Sequence, residues 1–491
     1  MAVMIQGYDP RTGEPAGEPV PETADAEVDA IAGAAAAACG SWEQAGPGGR
    51  AEALEAVAAA LDGAAAELVA AADTETALGP ARLAGEVART TGQLRHFAAV
   101  LADGGYADAV ASPGGEGVPG LRRVNRPIGP VAVFAASNFP FAFSVAGNDT
   151  ASALAAGCPV VVKAHEGHPR TSLLTARIVA GALAGAGAPA GTFAVVFGVG
   201  AGVRLLRHPA IAAAGFTGSA RGGLALAAVC AQRPVPIPFF GELGSVNPVV
   251  ILPGAAAARP ADIAAGYAAS LTLGVGQFCT NPGLLFVPGE HERLRSAVAE
   301  AIRASAGGPM LTARIHDSFS GAVAELGARP DVAELAEGQP GEGPWSATPA
   351  VFQVGLADFA AGLPGLAQER FGPVGLVITY RSVADLLPVL ARLGGNLAGV
   401  VHADEASAAD MDLARQVADV LARTVGRVVF NGWPTGVVVT HAQHHGGPWP
   451  ASTAPAHTSV GAAAIRRWLV PVAYQDFPAQ LLPAELSRGS R

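Results

Sequence analysis

Cysteine is scarce in this sequence, and its scarcity excludes several classes of protein. The 491 residues contain four cysteines, Cys39, Cys158, Cys230 and Cys279, with no C-x-x-C pair and no Cys/His spacing typical of zinc. A disulfide framework is therefore excluded, and we predict no bound metal. A low cysteine content of this kind fits a reducing compartment, so we expect a cytoplasmic protein.

Positive charge and long hydrophobic runs are also in short supply. The net charge of −10 argues against a nucleic acid or an anionic membrane as a partner. The N-terminus lacks a basic segment followed by an apolar run, so no signal peptide is expected. Residues 178–203 carry no charge over a bilayer-spanning length. Pro189 and several glycines divide this stretch, which favours a buried helix, turn and strand.

The chain is long enough for two or three domains, and 50% of its residues are hydrophobic, as in globular proteins. Residues up to about 110 have helical periodicity, and a Gly/Pro-rich linker follows. Short β-branched runs then alternate with helical segments, which is typical of α/β domains with parallel sheets. The first unit has predicted strands at 131–134, 159–162, 193–197 and 213–216, and helices at 146–156, 171–184 and 221–232.

A second α/β unit is predicted after residue 240. Its strands are expected at 248–251, 284–287, 374–378, 398–401 and 427–430, with a further strand pattern within 462–478. The Gly/Pro-rich segment 306–349 is interpreted as a surface excursion with one helix. In sheets of this kind ligands bind at the carboxyl ends of the strands.

Cys279 lies in the stretch Gly-Val-Gly-Gln-Phe-Cys-Thr-Asn-Pro, residues 274–282. Asn281-Pro282 ends any helix that arrives from Ala261, so the thiol is expected at or just past a helix end. Taken alone, such a cysteine is more often a small core residue. Its interpretation as a nucleophile depends on the other motifs in the chain.

Thiol chemistry requires an oxyanion donor and a general base, and two polar residues next to apolar runs can supply them. Asn138 comes directly after a predicted strand, where its amide can bind an oxyanion or cap the next helix. Glu242 stands in an apolar stretch, where a raised pKa makes a general base of it; the alternative is an ion-pair partner.

Two further motifs are suited to a dinucleotide. Lys163 and Glu166 follow a strand and can hold ribose hydroxyls, or they form a solvated surface pair. Gly218-Ser219 opens a helix, whose free N–H groups and dipole favour phosphate. No G-x-G-x-x-G motif is present, so the turn alone is weak evidence.

Together these motifs, in this order, resemble the aldehyde dehydrogenase superfamily. The resemblance rests on Ser-Asn138-Phe-Pro, Lys163, Phe-Thr-Gly218-Ser219, Glu242-Leu-Gly-Ser, Gly-Gln-Phe-Cys279-Thr and Glu369-Arg-Phe371-Gly-Pro-Val. It implies Cys279 as nucleophile, Asn138 as oxyanion donor and Glu242 as base. It also implies Lys163, Glu166, Gly218, Ser219, Glu369 and Phe371 as residues that bind the cofactor NAD or NADP.

The same resemblance implies an α/β fold with two Rossmann-like parallel sheets and a small bridging sheet. The cofactor-binding domain is expected at residues 1–106 and 130–241, and the catalytic domain at 242–450. The bridging and oligomerisation segments are expected at 107–129 and 460–491, in a homodimer or homotetramer. Because Glu166 should bind a ribose 2′-hydroxyl and repel a 2′-phosphate, NAD is preferred to NADP.

Departures from the common family motifs point to one branch. Ala-Ser-Asn138 and Glu242-Leu-Gly-Ser-Val, with the segment from His444 to Thr453, resemble α-ketoglutaric semialdehyde dehydrogenases and NADP-dependent fatty aldehyde dehydrogenases. The branch implies oxidation of α-ketoglutaric semialdehyde to 2-oxoglutarate in the catabolism of sugars, sugar acids or hydroxyproline. Two alternatives are a medium- or long-chain fatty aldehyde dehydrogenase and a catalytically silent structural homologue. Retention of Glu242 argues against a CoA-acylating enzyme.

The substrate pocket is the least determined part of the site. Phe139 and Phe278 are candidates, as neighbours of Asn138 and Cys279, together with His441 and His445. Of the cluster His441, His444 and His445, we expect His445 to lie nearest the thiol, although all three are equally well explained as loop residues. Arg126, Arg221 and Arg370 are available for a substrate carboxylate, and the sequence does not distinguish between them.

Overall fold

The computed structural model describes residues 3–487. Within that range the α-helices are α1 (Asp25–Gln44), α2 (Gly46–Gly63), α3 (Ala65–Thr76), α4 (Pro80–Asp103), α5 (Asn148–Ala156), α6 (Pro169–Gly185), α7 (Val199–Arg207), α8 (Ala220–Ala231), α9 (Pro253–Ala258), α10 (Pro260–Thr272), α11 (Glu292–Arg303), α12 (Ala313–Gly327), α13 (Leu356–Ala361), α14 (Val383–Leu390), α15 (Ala408–Thr424) and α16 (Ala484–Ser487).

The strands of the same range are β1 (Met4–Ile5), β2 (Val20–Pro21), β3 (Val110–Ser112), β4 (Leu121–Pro127), β5 (Val131–Phe134), β6 (Val160–Lys163), β7 (Phe193–Val196), β8 (Ala213–Thr217), β9 (Phe239–Glu242), β10 (Val249–Ile251), β11 (Leu284–Pro288), β12 (Gly308–Pro309), β13 (Ala333–Glu337), β14 (Ser346–Ala347), β15 (Ala350–Gly355), β16 (Val374–Tyr380), β17 (Asn396–His402), β18 (Val425–Phe430) and β19 (Leu469–Gln475).

The first large sheet is parallel and has the strand order β7-β6-β5-β8-β9. Its central strands are runs of valine and alanine that are buried on both faces, as crossover connections require. Leu54 of α2 and Phe97 of α4 share a core with Val131 and Val160, so the N-terminal helices pack on this sheet.

The second large sheet has the order β13-β15-β16-β11-β10-β17-β18 and is parallel except for β13, which pairs antiparallel with β15. The five predicted strands of this unit are confirmed. The interpretation of 306–349 as an excursion with one helix is wrong in part, because α12 is followed by β13 at the sheet edge. Strand β13 reads Ala-Glu-Leu-Ala-Glu, residues of high helix propensity that pairing with β15 overrides.

A small antiparallel sheet of order β19-β4-β3 joins distant parts of the chain. Its strands lie inside the predicted bridging segments 107–129 and 460–491, of which residues 488–491 fall outside the described residues. The predicted α/β fold, with two large sheets and a small third one, is confirmed. The predicted domain limits stay a prediction.

The uncharged stretch 178–203 is divided as predicted. It contains the end of α6, the strand β7 and the start of α7. Across residues 3–487 no helix has both the length and the apolar character needed to cross a membrane.

Candidate active site

Four predicted site residues lie at the carboxyl edge of the five-stranded sheet. Lys163 is the last residue of β6 and Glu242 the last of β9, while Asn138 follows β5 and Gly218 follows β8. Because parallel strands end at a common edge, residues from four separate motifs meet at that edge of the sheet. Motifs that are far apart in the sequence are thus brought together in the fold.

Cys279 sits on a tight loop beyond α10. The backbone between Thr272 and Cys279 passes through positive φ at Gly274, Val275 and Gly276, which for valine is a strained conformation. A Cβ on Gly276 would lie 2.2 Å from the carbonyl carbon of Gly372, so only glycine permits this approach. The loop is held further by Asn247, whose amide donates to the Cys279 carbonyl at 2.9 Å.

The Cys279 thiol is surrounded by groups that disfavour its negative charge. Burial, followed by the charges of Glu369 and Glu242, raises the pKa of the thiol to about 12, and the Arg89 guanidinium acts against this rise. The sulfur lies 3.7 Å from Nε2 of His445. Burial lowers the pKa of that imidazole to about 3, with a contribution from Arg427, so the ring beside the sulfur is neutral.

Asn138 lies beside the same loop. Its Nδ2 atom donates to the carbonyl of Gln277 at 3.0 Å, two residues before the cysteine. One N–H of the amide is used in this bond, and the second remains for an oxygen near the thiol. The next helix, α5, has Gly147 at its N-cap, so the alternative of a helix-capping role for Asn138 is wrong.

Glu242 is buried, with 6% of its surface exposed. Burial raises the pKa of its carboxyl well above the usual value, and Asp149 adds to the rise while Arg467 and Ser452 oppose it. Its Oε2 has no hydrogen-bond partner among residues 3–487. Arg467 is engaged by Asp149 at 2.5 Å. Within the described chain Glu242 forms no ion pair, which argues against the alternative role in a salt bridge.

Glu369 is brought to the cysteine loop by the turn before β16. Its Oε1 accepts from the Ser245 N–H at 3.4 Å, and a Cβ on Gly244 would lie 2.3 Å from Oε2. Burial raises the pKa of Glu369 to about 7. Glu369 and Phe371 line one cleft together with Phe278.

The motifs predicted to bind ribose and phosphate differ in the interactions that their residues make. Lys163 is buried and forms an ion pair with Glu166, so the alternative of a fully solvated surface pair is wrong. Ser219 is the N-cap of α8 and accepts from the Gly222 N–H at 3.3 Å. The Gly218 N–H, expected to be free, donates to the Glu242 carbonyl at 3.1 Å.

The predicted pocket residues lie in two groups. The Phe139 ring packs edge-on against Phe278, with ring centres 5.3 Å apart, and His445 contacts the ring of Phe143 at 6.3 Å. His441 is exposed and its ring contacts His96 of α4 at 5.1 Å. Of the histidine cluster, His445 is therefore the member at the thiol.

Sequence reasoning missed the contribution of helix α4. Arg89 lies over the rings of Phe139 and Phe143, and Arg82 lies over Phe139 and Phe278. The sequence does contain a signal for this contribution, because charged residues lie on the face of α4 that an amphipathic helix buries.

Two of the arginines considered for a substrate carboxylate have other partners. Arg126 pairs with Glu43 at 2.6 Å, and Arg370 donates to backbone carbonyls of residues 365, 366 and 368. In the described part of the chain no group of three His, Cys, Asp or Glu side chains is arranged to hold a metal ion.

Comparison with known proteins agrees with this geometry. The model of the aldehyde dehydrogenase family matches residues 2–453. The α-ketoglutaric semialdehyde dehydrogenase 2 of Azospirillum brasilense is 45% identical over 496 residues, covering 99% of this chain and 94% of that protein. The α-ketoglutaric semialdehyde dehydrogenase of Acinetobacter baylyi is 40% identical over 471 residues, covering 94% and 89%.

Solved structures share the fold. A mutant of aldehyde dehydrogenase C from Pseudomonas syringae, in complex with NAD+ and octanal, aligns with a TM-score of 0.81 at 23% identity, covering all of this chain and 95% of that one. Proline utilization A from Bradyrhizobium japonicum aligns with a TM-score of 0.80 at 25% identity, covering 95% and 46%. With the family model matched over most of its length, this chain belongs to the aldehyde dehydrogenase family and is an aldehyde oxidoreductase.

Proposed function

We propose that this protein oxidises α-ketoglutaric semialdehyde to 2-oxoglutarate with NAD as the oxidant. The observation that carries the proposal is the surroundings of one sulfur atom. His445 lies 3.7 Å from Cys279, and the charges of Glu242 and Glu369 act on its thiol. The Asn138 amide is bonded two residues away. The substrate follows from relatives that are 45% and 40% identical over nearly the whole chain.

In the first half of the reaction Cys279 is the nucleophile. Its thiol loses its proton to water, the thiolate sulfur forms a bond to the aldehyde carbon, and the carbonyl oxygen becomes the alkoxide of a thiohemiacetal. The second N–H of Asn138 and the backbone N–H of Cys279 stabilise that oxygen. When bound, NAD(P)+ supplies the acceptor for the hydride whose loss converts the thiohemiacetal to a thioester.

In the second half Glu242 is the base. Its unpartnered Oε2 accepts a proton from water, whose oxygen attacks the thioester carbon, and the carboxylic acid leaves as the Cys279 thiol is restored. Because burial raises the pKa of Glu242, the carboxylate is present only as the pH rises, and it is then a strong base. Burial and the charges of Glu369 and Glu242 keep the resting thiol protonated, and neutral His445 lies beside it.

The residues at the sheet edge fit a dinucleotide. Lys163 ends β6 and Glu166 follows it by three residues, Ser219 opens α8, and Glu369 with Phe371 lines the cleft next to Phe278. Lys163 and Glu166 would hold the adenosine ribose, Gly218 and Ser219 would lie at the pyrophosphate, and Glu369 would accept from the nicotinamide ribose. The Glu166 carboxylate disfavours a 2′-phosphate, which supports the preference for NAD.

We also propose a homodimer or homotetramer assembled through the three-stranded sheet. Leu121 of β4 and Val470 and Val472 of β19 are apolar and exposed there, which supports burial against a second copy. Four free cysteines support a reducing compartment such as the cytoplasm.

A substrate panel tests the proposal. Purified protein with NAD is given α-ketoglutaric semialdehyde, succinic semialdehyde, glutaraldehyde or decanal, and NADH is followed by absorbance. We expect the largest kcat/KM for α-ketoglutaric semialdehyde. A larger value for decanal would favour the fatty aldehyde alternative, and no NADH with any aldehyde would favour a silent homologue.

The Cys279→Ala variant is the blank for this panel. It should produce no NADH while it keeps the circular dichroism spectrum of the wild type, because a methyl group replaces the nucleophile without changing the loop. Cys39→Ala, which alters a half-buried cysteine on α1, is the matched control and should keep full activity. NADH production by Cys279→Ala would contradict the assigned role of the thiol.

A further inference from the structure

Helix α4 carries a row of polar residues on its buried side. Arg82, Glu86, Arg89, Gln93 and His96 follow each other at intervals of three and four residues, so they form one stripe along the helix. We call this set the α4 polar stripe. Glu86 and Gln93 are 5% and 0% exposed. A polar row of this kind inside a protein requires partners.

Each member of the α4 polar stripe has a buried polar atom that lacks a hydrogen-bond partner within residues 3–487. The atoms are Nη1 of Arg82, Oε2 of Glu86, Nε and Nη2 of Arg89, Oε1 of Gln93 and Nε2 of His96. Buried polar groups left in this way cost free energy unless another molecule satisfies them. Five adjacent members with the same deficit mark α4 as a place where a polar ligand would find unused donors and acceptors.

The α4 polar stripe runs past the aromatic rings that flank the nucleophile. At one end the Arg82 guanidinium lies 5.0 Å from the ring centre of Phe278, next to the nucleophile. In the middle Arg89 lies 5.3 Å from the ring centre of Phe143, which in turn contacts His445. At the other end the ring of His96 contacts His441.

Arg89 has the geometry that a carboxylate requires. Its two unpartnered nitrogens, Nε and Nη2, are the pair that form one edge of the planar guanidinium, and that edge binds both oxygens of a carboxylate at once. The charge of Arg89 also acts on the Cys279 thiol and on His445, so the guanidinium is within electrostatic range of the reacting atoms.

Glu86, between the two arginines, does not cancel their charge. Its Oε1 accepts from the backbone N–H groups of Phe141 and Ala142 at 2.8 and 3.0 Å. Burial raises the pKa of this carboxyl, which favours its neutral form. The stripe therefore keeps net positive charge beside the pocket.

Building on the proposed function, we propose that Arg89, supported by Arg82, binds the carboxylate at the far end of the substrate and makes the enzyme selective for ω-carboxylated aldehydes. The aldehyde is then held at Cys279 while the anionic end is held by α4. Selectivity and chemistry are supplied by separate segments of the chain.

The test compares Arg89→Gln with the wild type on an anionic and a neutral aldehyde of equal length, α-ketoglutaric semialdehyde and pentanal. Both aldehydes lose the Arg89 charge that acts on the thiol, but only the anion loses its partner, so we expect kcat/KM for the anion to fall at least about 30-fold further than kcat/KM for pentanal. Equal losses for both aldehydes would overturn the proposal. Arg95→Gln is the matched control, since Arg95 lies on the exposed side of α4 and pairs with Asp62.

A second measurement keeps the proposal testable if Arg89→Gln does not fold. Glutarate, which cannot be oxidised, should compete with pentanal in the wild type and lose that competition in Arg89→Lys, which keeps the charge without the planar edge. No competition in the wild type would overturn the proposal. If the wild type oxidises pentanal better than α-ketoglutaric semialdehyde, the proposed function itself is contradicted. Retained anion preference in Arg89→Gln instead removes only the role of Arg89.

Discussion

At the β9 end of the sheet edge, Glu242 is buried and forms no ion pair within residues 3–487, and burial raises its pKa well above the usual value. At the other end, Lys163 is equally buried but is paired with Glu166. The same fold therefore leaves a buried charge without an ion pair at one end and pairs a buried charge at the other. The difference follows the chemistry required at each end.

Groups that exchange protons benefit from a pKa near or above neutrality, because they must change state during turnover. Groups that only bind benefit from a fixed charge and a fixed position, which a partner provides. The unpaired end is thus suited to reaction and the paired end to recognition. Each of the following experiments perturbs one of the two ends, and the comparison predicts which measured rate changes.

The largest effect is expected from Glu242→Gln at the unpaired end. Gln has the same shape but cannot accept the proton of water, so hydrolysis of the thioester should slow by about 10²–10⁴-fold. Rapid-mixing experiments should show a burst of one NADH per site followed by very slow turnover. The wild type is the reference, and its NADH should form without this separation into a burst and a slow phase. Steady turnover at the wild-type rate, with no burst, would assign the base to another residue.

A smaller effect is expected from pH on the Cys279 thiol of the cofactor-free protein. The pKa of about 12 lies above the working range, and the thiolate is the reactive form, so deprotonation increases tenfold with each pH unit. The rate of alkylation by iodoacetamide should therefore rise about 100-fold from pH 7 to pH 9.

The alkylation is best measured in a Cys39→Ala background, because Cys158 and Cys230 are buried. A plateau below pH 8 would mean that the resting thiol is already ionised. That result would contradict the raised pKa of the Cys279 thiol in its buried, negatively charged surroundings.

The smallest effect is expected from Glu166→Gln at the paired end. Removal of this carboxylate relieves repulsion of a 2′-phosphate and leaves Lys163 free to contact it, so the ratio of kcat/KM for NADP to that for NAD should rise about tenfold, or about 1.4 kcal/mol. Glu67→Gln, on an exposed face of α3, is the matched control. A wild type that prefers NADP by tenfold would contradict the role given to Glu166.

Much of the fold was predictable because its strands are short apolar runs separated by helices. Val131–Phe134 and Phe193–Val196 were found for this reason. Strand β13 was not, because its alanines and glutamates favour a helix and only pairing at the sheet edge makes them extended. Local preference fails where tertiary contacts decide.

The site was predictable where a motif joins a residue to its strand end, as for Asn138 and Glu242. It was not predictable where the residue comes from a plain amphipathic helix. Arg89 is surrounded in sequence by alanine, glycine and threonine and has no motif of its own. Its position beside Phe143 depends on how α4 packs on the segment after β5, which no spacing in the sequence records.

The placement of the α4 polar stripe has an evolutionary consequence. Helix α4 belongs to the N-terminal part of the chain, whereas the cysteine loop lies far downstream. Mutations in one helix can therefore retune which aldehydes are accepted while the cysteine loop itself stays unchanged. Exchange of this helix between relatives offers a compact route to new preferences in an inherited catalyst.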